Sequence, residues 1–352
     1  MINKTDIIKY SYLLFSLQIL LLCGCRSDND SIKEIDPQIT LITSINGPGD
    51  NGYNDMIIKG VMSFAYSNNL EVSLIIPNDT NSVNEALNYW KETKITKPSI
   101  LLLASNEYCE IVRTHSNDLP SNKQILLFES RDTDMPEGVS TFNFCRYGVS
   151  YLAGCMAQKS GKANIICAKP NDMILEEAAN GFKDGFKRAA PYHLLEEHFL
   201  ANDNQGYSIP DSTYRLATFL ENNFIFPLAG GSNNGFYKYS RDNSFSTMLI
   251  AGMDTDCGVY SSRVPFSVVL YMENAIKSLL SNWHTSGKIP KHTTYDLESG
   301  YIDIVQSLFF YADLGVWDDY YGKPDYWKNL YNKYKDEAIR KEKDYEKSIE
   351  MD

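Results

Sequence analysis

Residues 38–64 read QITLITSINGPGDNGYNDMIIKGVMSF, and this stretch decides the fold class of the chain. Its first part, around Ile39 to Ile42, is an apolar run rich in β-branched residues, which predicts a buried strand. Its last part repeats apolar residues at helical spacing from Ile57 onward, so the period changes across the glycine-rich turn. A strand, a turn and an amphipathic helix form half of a βαβ unit. The turn is therefore predicted to be a binding loop.

The turn also matches the dinucleotide-binding pattern G-x-G-x-x-G, through Gly47, Gly49 and Gly52. An acid near the end of the next strand, Asp79, agrees with that interpretation. Asp50 opposes it, because a carboxylate in the turn repels the pyrophosphate that such a loop holds. Two alternatives to a small-molecule loop stay open: a nicotinamide-cofactor site, and a glycine turn without a ligand.

The start of the chain is typical of an exported lipoprotein. Residues 1–24 carry lysines followed by a short, interrupted apolar run, which predicts a signal peptide and not a membrane span. Leu22-Cys23-Gly24-Cys25 resembles the bacterial lipobox, which assigns the lipid anchor to Cys25. Residues 25–36 predict a flexible tether. We expect anchoring to a bacterial membrane in the cell envelope, on the periplasmic or the exterior face; the alternative is an ordinary cleaved secretory peptide.

Composition and charge limit the classes of partner. The 352 residues, 43% hydrophobic and 22% charged, suit two compact domains after removal of the leader. The formal net charge of −12 disfavours nucleic acid and anionic membrane surfaces as partners. Of the 7 cysteines, those beyond Cys25 show no C-x-x-C spacing and predict neither a zinc site nor a disulfide framework.

Motifs that carry catalysis are missing from the sequence. The 5 histidines show no H-E-x-x-H or other paired spacing, and the sequence contains no G-x-S-x-G elbow. A nucleoside hydrolase needs a cluster of carboxylates at the end of the first strand, and Asp50 alone does not supply one. We therefore expect no enzyme, no metal and no cofactor.

Beyond the first unit, apolar strands alternate with amphipathic helices, and the pattern restarts at Tyr147. Near-continuous apolar strands between helices predict parallel sheets that are covered on both faces. We therefore expect an α/β protein with two doubly wound parallel-sheet lobes joined by a multi-strand hinge. A helix is predicted to include Val268 and Val269. The expected lobes are residues 37–145, completed by 255–290, and residues 146–254, completed by 291–322.

Loops at the carboxyl ends of parallel strands share one edge of their sheet, where ligands of such folds bind. In the first half these loops are residues 44–54, 105–108 and 129–134, which brings Ser105 and Glu129 near the glycine-rich turn. In the second half the loops that follow strands are residues 229–235 and 254–256. Because the two sets face each other, we expect the site in the cleft between the lobes, closed by a hinge motion.

Six motifs in one order carry a resemblance to a known family. They are Gly47–Asn54, Gly148–Gly154, Ser160–Lys162, Asn180–Gly185, Pro227–Ser232 and Gly252–Asp256. Behind a lipobox, these motifs resemble the basic membrane protein family, the purine-nucleoside-receptor type of substrate-binding lipoprotein that serves ABC importers. The resemblance covers Ile39 to about Ile304 and implies a fold like that of type I periplasmic binding proteins.

The resemblance implies a role for each matching residue. Asp50 is expected to hydrogen-bond the base, Tyr53 to stack on the purine, and Asn54 to supply an amide. The alternatives are that Asp50 and Asn54 cap the helix, that Tyr53 packs onto the helix, and that Asp254 is an ordinary turn acid. The residues that the resemblance places at the ribose are Gly230, Gly231 and Asp254.

Two positions depart from the family pattern. The register of a family lysine falls on Leu270, beside Tyr271, and a second stacking aromatic is replaced by Ala178. Arg146 and Tyr147 lie at the expected crossing between the lobes, where we expect a replacement contact. The ligand is thus expected to be a purine nucleoside, with a nucleobase, another sugar conjugate or another small amphipathic solute as alternatives.

The last segment, residues 323–352, is predicted to add an amphipathic helix after the part that resembles the family. We expect this helix to pack across the second lobe, with its end from Arg340 solvated; docking onto a partner protein is the alternative. Its apolar face is formed by Trp327, Leu330, Tyr331, Tyr334, Ala338 and Ile339.

These features together predict a lipid-anchored solute-binding protein that captures a small polar-aromatic ligand for an ABC importer. The rival interpretation from another class is a periplasmic NAD-type oxidoreductase built on the glycine-rich turn. A receptor that senses its ligand without transport has the same sequence features.

Overall fold

A computed structural model describes residues 38–310 and 325–350 of the chain. The predicted signal peptide, the tether and Cys25 lie outside the described residues, as do residues 311–324. None of the helices in the described ranges is both long and apolar enough to cross a membrane.

Strands and helices alternate along most of the chain. The strands are β1 (Ile39–Ile42), β2 (Val72–Ile75), β3 (Ser99–Leu103), β4 (Lys123–Phe128), β5 (Val139–Phe144), β6 (Lys162–Cys167), β7 (Leu194–Phe199), β8 (Phe224–Leu228), β9 (Leu249–Ile250), β10 (Gly252–Asp254), β11 (Phe266–Leu270), β12 (His292–Tyr295) and β13 (Ile302–Gln306). The α-helices are α1 (Tyr53–Ser67), α2 (Thr80–Glu92), α3 (Cys109–His115), α4 (Tyr147–Ala157), α5 (Met173–Lys187), α6 (Pro210–Ala217), α7 (Asn234–Asp242), α8 (Met272–Ser286) and α9 (Tyr326–Glu350).

The first lobe, residues 38–144 and 272–295, is built on a six-stranded sheet in the order β12-β5-β4-β3-β1-β2, and all its pairings are parallel. Strand β1 lies inside this sheet and is buried along its whole length, as its run of β-branched residues predicts. Strand β12 pairs with β5, so this part of residues 291–322 belongs to the first sheet and not to the second lobe, where we expected it. A sheet partner of this kind leaves no signal in the periodicity of the strand itself.

The second lobe, residues 147–270 and 302–306, contains a four-stranded parallel sheet in the order β7-β6-β8-β9. A third sheet, β10-β11-β13, follows it, with β11 and β13 antiparallel. Val268 and Val269 lie in β11, so the prediction that they begin a helix is wrong. A short apolar run fits a strand as well as a helix, and here the β-branched pair favours the strand.

Helices α4 and α5 of the second lobe pack against each other through glycines. A Cβ atom on Gly154 would lie 2.3 Å from the carbonyl oxygen of Phe182, and one on Gly185 would lie 2.0 Å from the carbonyl oxygen of Tyr151. Real side chains do not approach backbone this closely, so the two helix axes are near each other only because these positions lack a side chain.

We predict that Gly185→Ala lowers the free energy of unfolding by about 1–3 kcal/mol, because the added methyl group forces the helices apart. The measurement is urea denaturation followed by circular dichroism. Asn180→Ala on the exposed face of the same helix is the control, with an expected change within about 0.5 kcal/mol. Equal stability of the two variants would contradict the close packing.

Helix α9 packs its apolar face onto the core, as predicted, with Trp327, Tyr334 and Ala338 buried. The prediction that its end from Arg340 is solvated is wrong at Glu342 and Tyr345. Glu342 is only 3% exposed, and the Tyr345 ring stacks on another tyrosine ring, described below. A charged residue near the end of a helix usually lies in solvent, which is why the sequence alone did not indicate this contact.

Candidate functional site

One cavity of about 160 Å³ lies between the strand-end loops of the two lobes. For comparison, an apolar cavity of about 150 Å³ is large enough to hold benzene. The structure brings together all nine residues that the sequence singles out for ligand binding, although whether they bind a ligand stays a prediction. The nine lining residues are Asp50, Tyr53, Asn54, Ser105, Glu129, Arg146, Gly230, Gly231 and Asp254.

Asp50 caps the start of α1 with both of its carboxylate oxygens. Its Oδ1 accepts from the backbone N–H groups of Gly52 and Asp55, at 2.9 and 3.3 Å. Its Oδ2 accepts from the backbone N–H and the side-chain amide of Asn54, at 2.9 and 3.1 Å. A carboxylate has about four lone-pair positions, so Asp50 is fully used by its own loop. The hydrogen bonds of Asp50 are therefore those of a helix cap, which is the alternative role that the sequence left open.

Asn54 and Ser105 likewise hold loops in place. The side-chain oxygen of Asn54, which is buried, accepts from the hydroxyl and the backbone N–H of Ser44, at 2.9 and 3.3 Å. Asn54 thereby ties the end of the first strand to the start of α1. The Ser105 hydroxyl accepts from the backbone N–H of Glu107 at 3.2 Å and caps a short 3₁₀ turn.

The same hydrogen bonds weigh against a dinucleotide at the glycine-rich turn. In a pyrophosphate-binding loop the backbone N–H groups point at the phosphates. Here Gly49 and Asn51 donate theirs to the Asp55 carboxylate, at 2.8 and 2.9 Å, and Gly52 donates to Asp50. The amides of the turn are therefore occupied by two carboxylates, and the nicotinamide interpretation loses its physical basis.

Glu129 and Arg146 form a buried, two-pronged ion pair at the cavity wall. The guanidinium donates to both Glu129 carboxylate oxygens, at 2.8 and 2.9 Å, and to the carbonyl oxygen of Phe144 at 3.2 Å. The side chains are 12% and 4% exposed, so the pair is largely desolvated. Arg146 lies two residues after the end of β5 and directly before α4, where the chain passes from the first lobe to the second. It lies at the crossing that the sequence predicts.

Asp254 presents its carboxylate to the cavity. Among the residues that the structure describes, no donor hydrogen-bonds this carboxylate and no cation pairs with it within 4 Å. Burial raises its pKa to about 6, while Arg146 lowers it and Asp50 and Glu129 raise it further. Its backbone φ of 67° lies in the left-handed region, as does that of Glu129 at 58°. Strain of this kind, of order 1–3 kcal/mol per residue, tends to collect at functional sites.

Tyr53 lies at the start of α1 and contributes its ring to the cavity wall. Its hydroxyl oxygen is buried and has no hydrogen-bond partner within the described residues. Burial, followed by the charge of Glu129, raises the pKa of this hydroxyl far above its usual value. The phenol is thus neutral and able to donate a hydrogen bond.

The two lobes touch across the cavity. A Cβ atom on Gly231 of the second lobe would be in van der Waals contact with the Cα atom of Asp50 of the first lobe, at 3.5 Å. Hydrogen bonds also join the lobes: Glu107 of the first lobe accepts from the Lys169 ammonium at 2.8 Å and from the Asn204 side-chain amide at 3.0 Å, both of the second lobe. The structure therefore represents a closed arrangement of the lobes.

Tyr207 is the lining aromatic that sequence reasoning missed. It ends a short 3₁₀ turn after β7, and its hydroxyl donates to Asp172 at 3.0 Å. A Cβ atom on Gly230 would lie 3.1 Å from its ring, and the Gly230 φ of 52° also favours glycine. Because β7 is a half-exposed strand without a clear apolar pattern, the loop after it gave no signal.

The two positions that depart from the family pattern have different surroundings. Ala178 is 1% exposed and lines the cavity from α5. Leu270 is 2% exposed at the end of β11 and lines a second groove of about 490 Å³ instead, together with Tyr271. A residue at position 270 is therefore set apart from the main cavity.

One cluster of possible metal ligands occurs in the described ranges: Cys145, Glu177 and Glu346. The Arg131 guanidinium already donates to Glu177 at 2.7 Å and also to Glu346. Because this cation compensates the carboxylates, the cluster is an ion-pair network and offers no open metal site.

Comparisons with known proteins agree with this architecture. A search of curated proteins gave no match. A solute-binding protein of an ABC transporter system from Aeropyrum pernix K1 is similar in structure, with a TM-score of 0.67 and 12% identity over 88% of this chain and 90% of that one. A transcriptional activator of the comK gene from Bacillus halodurans gives a TM-score of 0.63 and 14% identity over 85% and 95%. A glucose-galactose binding protein from Geobacillus stearothermophilus gives 0.55 and 14% over 76% and 96%.

At these identities the structural neighbours show the fold alone, and they confirm the expected α/β fold of periplasmic binding proteins. The family is shown by sequence: the family model described as "ABC transporter substrate-binding protein PnrA-like" matches residues 43–351. That match includes α9, so the expectation that the C-terminal helix is an addition beyond the family is wrong. The chain belongs to this family, Bmp, the PnrA-like substrate-binding proteins of ABC transporters.

Proposed function

We propose that this protein captures a purine nucleoside in the cavity between its lobes and delivers it to an ABC importer, without catalysing a reaction. The observation that carries the proposal is the make-up of the cavity. It combines tyrosines from both lobes, Tyr53 and Tyr207, with the carboxylate of Asp254, which has no hydrogen-bond or ion-pair partner in the part of the chain that the structure describes.

The two rings suit a flat heterocycle. Tyr53 belongs to the first lobe and Tyr207 to the second, so closure of the lobes brings both to the same ligand. Stacking of a base on an aromatic side chain contributes roughly 1–3 kcal/mol per base in nucleic-acid binders. Tyr207 thereby supplies the second aromatic contact that Ala178 does not.

The charges of the cavity favour a neutral ligand with hydrogen-bond donors. The acids among its described lining residues are Asp50, Glu107, Glu129 and Asp254. The cation in that lining, Arg146, is already paired with Glu129. A phosphate group would meet a net negative surface and be repelled. Vicinal hydroxyls, by contrast, donate charge-assisted hydrogen bonds to a free carboxylate. An unphosphorylated nucleoside fits both conditions.

A thermal-shift panel tests the proposal, because a ligand that binds only the folded state raises the melting temperature. We expect inosine or guanosine at micromolar concentration to raise it, and inosine monophosphate and NAD to leave it unchanged. D-galactose and L-arabinose serve as sugar probes. Stabilisation by NAD, or by a sugar and not by any nucleoside, would refute the nucleoside assignment.

We further propose that Cys25 is lipidated and holds the protein at the membrane of the cell envelope. The support is the lipobox-like sequence that ends at Cys25. Cys25→Ala is expected to release the protein from the membrane fraction of expressing cells, with the acyl mass absent from the mature chain. Wild-type protein that is found outside the membrane fraction and whose Cys25 carries no acyl group would refute the anchor.

A further inference from the structure

Three side chains hydrogen-bond to one another across the two lobes: Glu107 of the first lobe, and Lys169 and Asn204 of the second. We call them the inter-lobe cluster. The Lys169 ammonium donates to Oε1 of Glu107 at 2.8 Å and to the side-chain oxygen of Asn204 at 2.7 Å. The Asn204 amide in turn donates to Oε2 of Glu107 at 3.0 Å. Both carboxylate oxygens of Glu107 are therefore bound by groups of the other lobe.

The first lobe holds Glu107 in a fixed place. Glu107 lies in a 3₁₀ turn that Ser105 caps. The next residue, Tyr108, is buried, and its hydroxyl donates to the carbonyl oxygen of Thr43 at 2.7 Å. A side chain on a rigid turn loses less conformational entropy when it forms a contact than one on a mobile loop does.

The second lobe supplies its two members from neighbouring loops. Lys169 and Asn204 follow the adjacent parallel strands β6 and β7. A Cβ atom on Gly206 would lie 1.8 Å from the carbonyl oxygen of Ala168, so the two loops are in direct contact. Asn204 begins the 3₁₀ turn that ends with Tyr207, a residue of the cavity wall. The turn that contributes Asn204 to the inter-lobe cluster therefore also contributes an aromatic residue to the cavity.

The inter-lobe cluster is separate from the covalent connections between the lobes. Those connections join β5 to α4, β11 to α8 and β12 to β13, whereas the three residues follow β3, β6 and β7. Moving the lobes apart separates Glu107 from both of its partners, while Lys169 keeps Asp172 of its own lobe, 3.6 Å away. The Lys169 and Glu107 side chains are 16% and 29% exposed, so water and salt screen their attraction only in part. The cluster thus stabilises the closed arrangement.

We propose that the inter-lobe cluster is a latch that sets how slowly a bound ligand leaves the cavity. A ligand enclosed between two lobes leaves only after they separate, so contacts made only in the closed arrangement lower the rate of dissociation. Lys169 acts through its two partners: unlike Glu107 and Asn204, it is not among the described residues that line the cavity. The latch rests on capture of a ligand between the lobes and not on that ligand being a nucleoside.

The test measures how fast tritiated inosine leaves the purified protein into an excess of unlabelled inosine, at low and at high salt concentration. At low salt, Lys169→Met is expected to release inosine about fivefold faster than wild type, the factor that a partly screened ion pair supplies. Lys169→Arg is expected to stay near the wild-type rate, because a guanidinium carries the same charge and can also donate to Glu107. High salt should accelerate release from wild type and leave Lys169→Met nearly unchanged, since salt screens the ion pair and inosine is neutral.

Lys335→Met is the matched control. Lys335 pairs with Asp303 at 2.7 Å, with side chains 27% and 19% exposed, but this pair joins α9 to β13 of the second lobe and does not cross to the first. We expect this variant to release inosine at the wild-type rate at both salt concentrations. Wild-type release from Lys169→Met, or equal acceleration in Lys169→Met and Lys335→Met, would overturn the latch and leave the nucleoside proposal intact.

A second measurement needs no bound ligand. Small-angle X-ray scattering at low salt is expected to give ligand-free Lys169→Met a larger radius of gyration than ligand-free wild type, because the variant closes less often. If wild type binds D-galactose or L-arabinose and no inosine, the nucleoside proposal fails, and the rate at which Lys169→Met releases that sugar decides the latch. If none of the three binds, equal radii of the two proteins overturn the latch, and a larger radius of the variant supports it.

Discussion

Arg146→Met is expected to lower the free energy of unfolding by roughly 3–5 kcal/mol and to abolish ligand binding. The reason is the state in which it leaves Glu129, whose side chain is 4% exposed and has Arg146 as its ion-pair partner in the described structure. Removing the cation leaves a charge in a poorly solvated place, which costs far more than losing an exposed ion pair. Urea denaturation measures the first effect and calorimetric titration with inosine the second.

The double variant Glu129→Gln, Arg146→Met separates these effects. Because no unpaired charge is left, we expect it to recover most of the lost stability, while ligand binding stays impaired. The single variant Arg146→Lys should recover less stability than the double variant, since an ammonium group cannot donate to both carboxylate oxygens as the guanidinium does. If the single and the double variant were equally unstable, the loss would have to come from packing and not from the unpaired carboxylate.

That the candidate site residues lie together was predictable from the sequence, and the contacts that each of them makes were not. Carboxyl ends of parallel strands meet at one edge, so residues as far apart as Asp50, Glu129 and Asp254 were expected together. Which acid is free for a ligand depends on a few ångströms of loop geometry. The backbone amides of the loop donate hydrogen bonds to Asp50, whereas Asp254 receives none from the described residues. The residue types alone do not indicate this difference.

The parts that the sequence did not predict are contacts between segments distant along the chain. Tyr207 reaches the cavity because its loop follows a strand beside β6, and β12 joins β5 across about 150 residues. Periodicity reports which face of an element is buried, but it does not report the partner that buries it. Helix α9 illustrates the same limit, since its apolar face was expected while the burial of a glutamate on it was not.

That glutamate, Glu342, lies where α9 contacts two of the points at which the chain passes between the lobes. Its Oε1 accepts from the backbone N–H of Gly148, in the first turn of α4, at 3.0 Å. Its Oε2 accepts from the backbone N–H of Leu297, between β12 and β13, at 3.0 Å. One turn further on, Tyr345 stacks on Tyr147 with 4.3 Å between ring centres. The side chain of Glu342 therefore ties both crossing segments to the C-terminal helix.

Stability is expected to fall as pH rises toward 8, and Glu342→Gln is expected to remove this dependence. Burial raises the pKa of Glu342 from 4.5 to about 8, against the two backbone hydrogen bonds, which lower it, while Asp296 and Glu177 raise it further. Between these two values the folded protein keeps a proton that the unfolded chain has lost. The free energy of unfolding therefore decreases with pH, by at most about 1.4 kcal/mol per pH unit.

Asp254 sets the lower limit of the pH range that is useful for Glu342. Its raised pKa of about 6 also makes the free energy of unfolding decrease with pH, but at lower pH. Between pH 6.5 and 8 the Asp254 contribution is nearly complete. Because burial also raises the pKa of Glu177, the difference in slope between wild type and Glu342→Gln in urea denaturation across this range reports Glu342. Asp344→Asn, at an exposed position on the same helix, is the control and should keep the wild-type slope. A slope that persists in Glu342→Gln would assign the lost proton to another group. If the free energy of unfolding of wild type does not change over this pH range, the two backbone amides keep Glu342 ionised throughout. Glu342 would then bind both crossing segments as a carboxylate.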